Sequence, residues 1–186
     1  MSGDGFRTLA ARRIADRLMK NIEIKLRLTG YREALEYMAS LTGQEPAVLE
    51  QTDTYFKTNR GRLKLREEDG RSELIFYVRP DRPRSKVSDY HRVDLDEPRG
   101  LKDLLARALS IDVVVEKTRN LFFQGATRIH IDEVPGLGHF IEIEVPVAEG
   151  ESKEPARATI EAILSGLPGI PEPISISYSD MLRDSR

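Results

Sequence analysis

Residues 21–28 read Asn21-Ile22-Glu23-Ile24-Lys25-Leu26-Arg27-Leu28, in which polar and aliphatic side chains alternate without interruption. A repeat of two residues predicts a β-strand, because successive side chains of a strand point to opposite faces. One face of this strand is charged and the other is aliphatic. The same alternation returns in three later segments: Arg62-Leu63-Lys64-Leu65-Arg66, Arg128-Ile129-His130-Ile131-Asp132 and Glu142-Ile143-Glu144-Val145.

The polar faces of these segments have an unusual composition. An ordinary half-buried strand places a mixture of Ser, Thr and Lys on its solvated side, whereas these segments place Glu, Lys, Arg and Asp there almost exclusively. If the charged faces converge in the folded chain, they line a polar cavity that carries both signs of charge. Such a cavity predicts a site for a polyanion together with its metal ion.

Composition limits the class of protein. The chain has 186 residues, a formal net charge of −2, no Cys and three His. The absence of Cys excludes disulfides and thiolate metal sites, and the charge argues against a protein that coats nucleic acid non-specifically. No apolar run has transmembrane length and the N-terminus lacks a signal-peptide core, which predicts a soluble cytoplasmic protein. Residues 1–18 are predicted to be an N-terminal helical extension, and residues 19–186 a single domain.

The remaining pattern predicts an α+β fold that is mainly antiparallel β. Helical spacing covers 31–41, 101–109 and 152–164, and about eight strands lie before and between these helices. Two of those strands, 112–118 and 121–124, are predicted to form a hairpin. Because both faces of the alternating strands need cover, we predict an eight-stranded closed barrel, or tunnel, with a polar lumen and peripheral helices rather than a sandwich.

Four carboxylates in the alternating segments are candidate metal ligands. Glu142 and Glu144, at positions i and i+2 of one strand, point to the same side, and their oxygens suit Mg²⁺ or Mn²⁺. A solvated strand face with cross-strand salt bridges is the alternative. The acidic set is Glu23, Asp132, Glu142 and Glu144.

Basic residues of the alternating segments, together with Arg79, Lys117 and Arg119, are candidate phosphate ligands, because Arg binds phosphate in a bidentate way and Lys acts as a point charge. Several of them in one cavity suit a triphosphate better than a single phosphate. His130 is either a general base, a phosphate donor or a hydrogen-bonded strand residue. The basic set is Lys25, Arg27, Arg62, Lys64, Arg66, Arg79, Lys117, Arg119 and Arg128.

Several motifs resemble those of the CYTH, or triphosphate tunnel metalloenzyme, superfamily. Glu23-Ile24-Lys25 is similar to the end of its Glu-x-Glu-x-Lys signature, and the most specific likeness is 128–132 followed by 137–144. The resemblance implies an eight-stranded tunnel, a divalent metal held by Glu23, Asp132, Glu142 and Glu144, and a catalytic set of Glu23, Lys25, Glu142 and Glu144. It implies as triphosphate ligands Lys25, Lys64, Arg66, Arg79, Lys117, Arg119 and Arg128.

Three functions are compatible with the resemblance. The first is Mg²⁺- or Mn²⁺-dependent hydrolysis of inorganic triphosphate or of a small organic triphosphate. The second is a class IV adenylyl cyclase, and the third is a non-catalytic polyphosphate- or nucleotide-binding module. Asn21, which stands where the signature has its first Glu, supplies an amide oxygen but no charge. The expected partner is a small-molecule triphosphate, with no nucleic acid and no membrane. The oligomeric state is left undecided between a monomer and a homodimer.

Overall fold

Nine strands and four helices form the described part of the chain, which in this computed structural model comprises residues 19–78, 89–95, 98–148, 150–169 and 172–185. The predicted helix in residues 1–18 lies outside the described residues. The strands are β1 (Met19–Leu28), β2 (Ala47–Phe56), β3 (Arg62–Glu68), β4 (Arg71–Val78), β5 (Asp89–Leu95), β6 (Ile111–Gln124), β7 (Thr127–Val134), β8 (Gly138–Ala148) and β9 (Glu172–Pro173). The helices are α1 (Tyr31–Thr42), α2 (Pro98–Leu109), α3 (Glu154–Ser165) and α4 (Tyr178–Asp184).

All nine strands belong to one antiparallel sheet with the order β5-β4-β3-β2-β6-β7-β8-β1-β9. The prediction of an α+β fold dominated by antiparallel strands is therefore confirmed. The first alternating segment, β1, pairs along its whole length with β8, so that Lys25 lies opposite Glu142 and Glu23 opposite Glu144. Directly opposed residues of an antiparallel pair share one face of the sheet.

The predicted closure into an eight-stranded barrel is not confirmed. The ladders run from β5 to β9, and within the described ranges no ladder joins these two edges. The outer edge of β1 is instead taken by the two-residue strand β9, in which Glu172 pairs with Arg27, and by the Ile174 N–H, which donates to the Lys25 carbonyl at 2.8 Å. These contacts occupy the outer edge of β1 at residues 25–27.

The predicted hairpin over 112–124 is wrong. Residues 111–124 form the single 14-residue strand β6. Asn120, at the predicted turn, is buried, and its Nδ2 donates to the Tyr31 hydroxyl at 2.9 Å and to the Ile131 carbonyl at 3.3 Å. These bonds hold the Asn120 amide inside a continuous strand. Asn is common in turns, and this preference favoured the hairpin prediction.

The aliphatic face of the sheet forms the main core. Side chains of β1, β6, β7 and β8, such as Leu26, Phe122, Ile131 and Ile143, pack there with α1 and α3. Met38 of α1 is fully buried in this layer. Since alternate residues point to opposite faces, this packing places the charged side chains of the same strands together on the other face.

The charged face is strongly curved. Helix α4 contacts β3, where Arg62 binds Asp180, and also β1, where the Lys25 ammonium lies over the Tyr178 ring. Four strands separate β1 from β3 in the sheet order. One seven-residue helix can touch both only because the sheet curls around it. Within the described residues, no helix is long and apolar enough to cross a membrane.

Candidate functional site

The curled sheet encloses charged side chains. Lys64, Lys117 and Arg119 are 8%, 5% and 8% exposed, and Asp53 and Asp132 are 2% and 0% exposed. Charges are rarely buried to this extent unless they are paired, coordinate a metal or meet a ligand, because desolvation costs several kcal/mol per ion. The enclosed charges form two groups that meet at Arg119.

The first group, the cationic cluster, consists of Lys64, Arg66 and Lys117 around Asp53. The Arg66 Nε donates to Asp53 Oδ1 at 2.7 Å and its Nη2 to Oδ2 at 2.9 Å. The Lys64 Nζ donates to Oδ2 at 2.8 Å, and the Lys117 Nζ lies 3.5 Å from the same oxygen. Three cations from β3 and β6 thus share one carboxylate from β2, which leaves the cluster with excess positive charge.

The electrostatics of the cationic cluster reflect this crowding. Burial by itself raises the pKa of Asp53, but Lys64, Lys117 and Arg66 outweigh it and hold that pKa well below its usual range. For Lys117, burial is the largest influence and the attraction of Asp53 only partly offsets it, which lowers its pKa to about 7. An anion placed here would favour the charged form of Lys117 and be attracted by it.

The second group, the carboxylate cluster, consists of His130, Glu142 and Glu144. One ligand atom from each lies within 4.8 Å of the other two. The His130 Nδ1 is 4.0 Å from Glu142 Oε2 and 3.8 Å from Glu144 Oε1. The cluster is a two-strand feature, because Glu142 lies directly opposite His130 in the β7–β8 ladder and Glu144 follows two residues later on the same face.

Cations flank both carboxylates of this cluster. The Lys25 Nζ lies 3.5 Å from Glu142 Oε1, and the Arg119 Nη2 donates to Glu142 Oε2 at 3.1 Å. Burial raises the pKa of Glu142, but these two cations outweigh it and leave the pKa below its usual range. Burial and the negative charge of Glu142 raise the pKa of Glu144, although the Arg128 Nη2 donates to its Oε2 at 2.5 Å.

His130 is a neutral imidazole with an orphaned nitrogen. Burial and the nearby Arg119 lower its pKa to about 3. The Nδ1 atom is buried and has no hydrogen-bond partner. The donor set of this cluster, one imidazole nitrogen and two carboxylates, fits a divalent metal ion, since these groups are common metal ligands.

Arg119 connects the two clusters through Asp132. The guanidinium donates to both oxygens of Asp132 at 2.7 Å, besides its bond to Glu142. Burial raises the pKa of Asp132, but Arg119 outweighs it, so the pKa is lowered. Both oxygens of Asp132 are thus engaged by Arg119, whereas Glu144 leaves one oxygen facing His130.

Tyr178 of α4 enters the same face. Its hydroxyl donates to Asp132 Oδ2 at 2.9 Å. Its ring centroid lies 4.1 Å from the Lys25 Nζ, beside the carboxylate cluster, and 5.7 Å from the Lys117 Nζ of the cationic cluster. Burial and the charge of Asp132 raise the pKa of the Tyr178 phenol, which is therefore neutral.

An apolar layer and an ion pair hold α4 in place. Tyr178 and Met181 pack with Tyr55, Val115 and Phe140, which lie on the charged face of the sheet. Two of the predicted basic residues serve this anchor rather than the clusters. Arg62 donates to both oxygens of Asp180 at 3.0 and 2.8 Å. The Arg27 guanidinium lies 4.0 Å from the Met181 sulfur and donates to the Leu137 carbonyl, in the turn between β7 and β8, at 2.6 Å.

The structure brings most of the predicted site residues onto one face. The residues placed in or beside the two clusters are Lys25, Lys64, Arg66, Lys117, Arg119, Arg128, Asp132, Glu142 and Glu144. Glu23 lies opposite Glu144 in the β1–β8 ladder. Asn21 donates from Nδ2 to Glu144 Oε2 at 3.3 Å. Arg79 lies outside the described residues. The catalytic, metal-binding and phosphate-binding roles of all these residues stay predictions.

Two residues of the site escape the sequence analysis. Asp53 shares the phase of Gln51 and Tyr55 on β2, and that alternation is the signal that could have placed it on the charged face. Tyr178 follows Ser177, whose side chain accepts from the Asp180 N–H in a capping box that marks the start of α4. This local signal predicts a helix but contains nothing about its contact with Asp132, which lies 46 residues earlier.

Comparison with known proteins identifies the family of this chain and a curated relative. The model of the CYTH domain family matches residues 19–171. The chain belongs to the CYTH domain family. A curated protein of Methanocaldococcus jannaschii with the name "Putative adenylate cyclase MJ0240" is 23% identical over 176 residues, which cover 90% of this chain and 96% of that protein.

Two solved structures are similar to this chain in fold. The PH1819 protein of Pyrococcus horikoshii is 24% identical with a TM-score of 0.71, and the match covers 90% of this chain and 100% of that one. The Hippeastrum protein named "Putative adenylyl cyclase HpAC1", described as having a dominant triphosphatase activity, is 18% identical with a TM-score of 0.64, over 90% of this chain and 97% of that one. At these identities the likeness shows the fold of this CYTH chain.

Proposed function

We propose that this CYTH protein is a divalent-metal-dependent triphosphatase that acts on inorganic triphosphate or a small organic triphosphate. The observation that carries the proposal is the juxtaposition of a largely buried cationic cluster and a carboxylate cluster on one enclosed face, linked by Arg119. A triphosphate with its metal needs both: cations for the phosphate oxygens and oxygen ligands for the ion.

The cationic cluster would bind the phosphate chain. Lys64, Arg66 and Lys117 share the single charge of Asp53, so the cluster attracts an anion. Phosphoryl transfer has little covalent chemistry for a protein to perform, and positioning with charge stabilisation supplies most of the rate. Fixed guanidinium and ammonium groups in a site shielded from water meet that requirement.

The carboxylate cluster would hold the divalent ion, through Glu142 and Glu144 and, as predicted from the sequence, with Glu23 and Asp132 nearby. A bound Mg²⁺ or Mn²⁺ would supply charge neutralisation and an activated water. Lys25, which lies 3.5 Å from Glu142, is placed to contact a phosphate oxygen beside the ion. We also propose that the curled sheet surrounds the ligand as the predicted tunnel would.

Adenylyl cyclase activity is the second candidate. The observation in its favour is the name of the M. jannaschii relative, which matches nearly its whole length. The same cationic and carboxylate clusters would serve either reaction, because both bind a triphosphate chain. Hydrolysis ranks first because it requires only water as the nucleophile, whereas cyclisation also requires a positioned ribose.

A product assay separates these functions. Purified protein is incubated with inorganic triphosphate, thiamine triphosphate or ATP, with Mg²⁺ or Mn²⁺, and phosphate, pyrophosphate and cyclic AMP are resolved. Triphosphate-dependent phosphate release supports the proposal, and cyclic AMP with pyrophosphate would favour the cyclase. Tight triphosphate binding with no product under either ion would identify a binding module.

Two variants test the site itself. Lys25→Ala and Glu142→Gln are expected to reduce phosphate release by at least 100-fold, because each removes a charge from the enclosed face. Glu154→Gln is the matched control, since Glu154 is an exposed residue of α3 whose ion pair with Arg157 is solvated. Retention of activity in both site variants, with the control unchanged, would refute the assignment of this face.

A further inference from the structure

We infer that His130 is a metal ligand, whose Nδ1 joins Glu142 and Glu144 in a mixed nitrogen–oxygen site that prefers a transition-metal ion such as Mn²⁺ over Mg²⁺. The inference rests on the proposed function in one respect, which is that the carboxylate cluster is the metal end of the site. It goes beyond that function by naming a further ligand and the class of ion.

Distances between the donor atoms suit one ion. The His130 Nδ1 lies 3.8 Å from Glu144 Oε1 and 4.0 Å from Glu142 Oε2, and the three ligand atoms all lie within 4.8 Å of one another. Ligands about 2.1 Å from an octahedral ion are about 3 Å apart when adjacent and about 4 Å apart when opposite. Since Nδ1 can be opposite only one of the two oxygens, side-chain rotations that shorten its distance to the other by about 1 Å would bring all three atoms to one ion.

The environment of Nδ1 points to a missing partner. The imidazole is 5% exposed, and its Nδ1 has no hydrogen bond although both carboxylates are near. Buried polar atoms without a partner are rare in native proteins, because desolvation is then uncompensated. A metal ion bound between Nδ1 and the two carboxylates would supply that partner.

The neighbouring hydrogen bonds leave one oxygen of Glu144 available, whereas Glu142 Oε2 would bind the ion while also accepting from Arg119. Arg128 and Asn21 both donate to Glu144 Oε2, whereas Glu144 Oε1 faces His130. Asn21 therefore presents an N–H to this carboxylate rather than a ligand oxygen. The first position of the family signature contributes no negative charge in this chain, and the neutral imidazole contributes a nitrogen donor.

This change of donor has a consequence for selectivity. Mg²⁺ prefers oxygen ligands and its own water, whereas imidazole nitrogen suits first-row transition metals. One nitrogen among the protein ligands is expected to make binding of Mn²⁺ tighter than binding of Mg²⁺ by at least tenfold. Co²⁺ and Zn²⁺ would bind more tightly still, following the general order of divalent affinities.

The test is pulsed electron paramagnetic resonance of the full-length protein with Mn²⁺ and no triphosphate. Coupling of Mn²⁺ to a ¹⁴N nucleus, replaced by ¹⁵N coupling when only the histidines are ¹⁵N-labelled, is the expected result. Bound Mn²⁺ without histidine coupling, or no bound Mn²⁺ at millimolar protein, would overturn the inference. This measurement needs only the wild-type chain, so the folding of a variant cannot obscure it.

Variants identify which histidine is responsible. His130→Gln removes the group at Nδ1 and is expected to weaken Mn²⁺ binding at least tenfold, to abolish the coupling, and to reduce the preference for Mn²⁺ over Mg²⁺. His139→Asn is the matched control, since His139 stacks on Tyr31 near the start of β8 and is not a member of the carboxylate cluster. Loss of coupling in the control, or its retention in His130→Gln, would refute the assignment.

These results separate this inference from the proposed function. Histidine coupling in a protein that releases no phosphate from any triphosphate would uphold the metal ligand and refute the triphosphatase. Phosphate release by a protein whose bound Mn²⁺ shows no histidine coupling would give the opposite outcome.

Discussion

Asp53 is the carboxylate that neutralises the cationic cluster, and Asp53→Asn tests this role. The substitution keeps the shape of the side chain but removes the charge that Lys64, Arg66 and Lys117 share. Asp53 is only 2% exposed, so water cannot replace the lost carboxylate. The buried Lys64 and Lys117 and the partly buried Arg66 would then lose the carboxylate that they share, and Asp132 would still offset part of the charge of Lys117.

The expected loss is large. Removing one partner of a buried, hydrogen-bonded ion pair costs about 3–5 kcal/mol, which lowers the melting temperature of a chain of this size by roughly 6–20 °C. Glu154→Gln, which breaks an exposed pair on α3, should change the free energy of unfolding by no more than about 0.5 kcal/mol. Urea unfolding followed by circular dichroism measures both values.

Added triphosphate distinguishes a structural role from a ligand-binding one. An anion that binds only the native state at 100 times its Kd stabilises that state by about 2.7 kcal/mol. Asp53→Asn frees three cations for the anion, so inorganic triphosphate should raise the melting temperature of the variant more than that of the wild type. A loss below about 1 kcal/mol without triphosphate would refute the ion-pair reasoning. An equal shift for both proteins would refute the cationic cluster as the anion site.

Substitutions of Lys117, Tyr178 and Arg62 test other contacts on the charged face of the sheet. Lys117 has a native pKa of about 7 against 10.5 for an exposed lysine, so the unfolded chain binds more protons between these pH values. The free energy of unfolding of the wild type should therefore rise with pH in this range relative to that of Lys117→Met. Urea unfolding at pH 6.5, 8 and 9.5 measures both, and a difference between the two proteins that does not change with pH would contradict the prediction. Tyr178→Phe removes the hydroxyl that donates to Asp132 and should cost about 2 kcal/mol; urea unfolding that shows a loss below about 0.5 kcal/mol would disprove the contribution of this bond. Arg62→Ala removes the ion pair with Asp180 of α4. Hydrogen exchange of the α4 backbone amides should become about 30-fold faster, which is equivalent to about 2 kcal/mol. Exchange measured by mass spectrometry that is unchanged in the variant would show that packing alone holds the helix.

Much of the fold could be predicted because its signals are local. Alternation places β1, β3, β7 and β8 correctly, since a period of two is a property of each strand by itself. Helix α1 begins at Tyr31 as predicted and ends before Gly43, whose φ of 65° is the left-handed conformation that glycine adopts readily. The hairpin prediction within β6 fails because the packing of Asn120 with Tyr31 depends on tertiary contacts.

The candidate site was predictable to a smaller extent. Lys25, Lys64, Arg119 and Glu142 were predicted to share a polar cavity from their common phase, and the structure brings them to one enclosed face. The part of Asp53 in neutralising the cationic cluster required the register of β2 with both β3 and β6, which no local pattern contains.

The sequence by itself determined that four separated segments would be strands with one charged and one aliphatic face, because successive side chains of a strand must alternate. Only the tertiary structure decided how those charged faces combine. The order of the strands and the curvature of the sheet divide the charges into a cationic cluster and a carboxylate cluster. The return of α4, more than 40 residues after β7, brings Tyr178 into contact with Asp132 and close to Lys25 and Lys117. Charge–charge distances between 2.5 and 3.5 Å depend on backbone positions that are set by the whole fold, and alternation along a single strand carries no information about them.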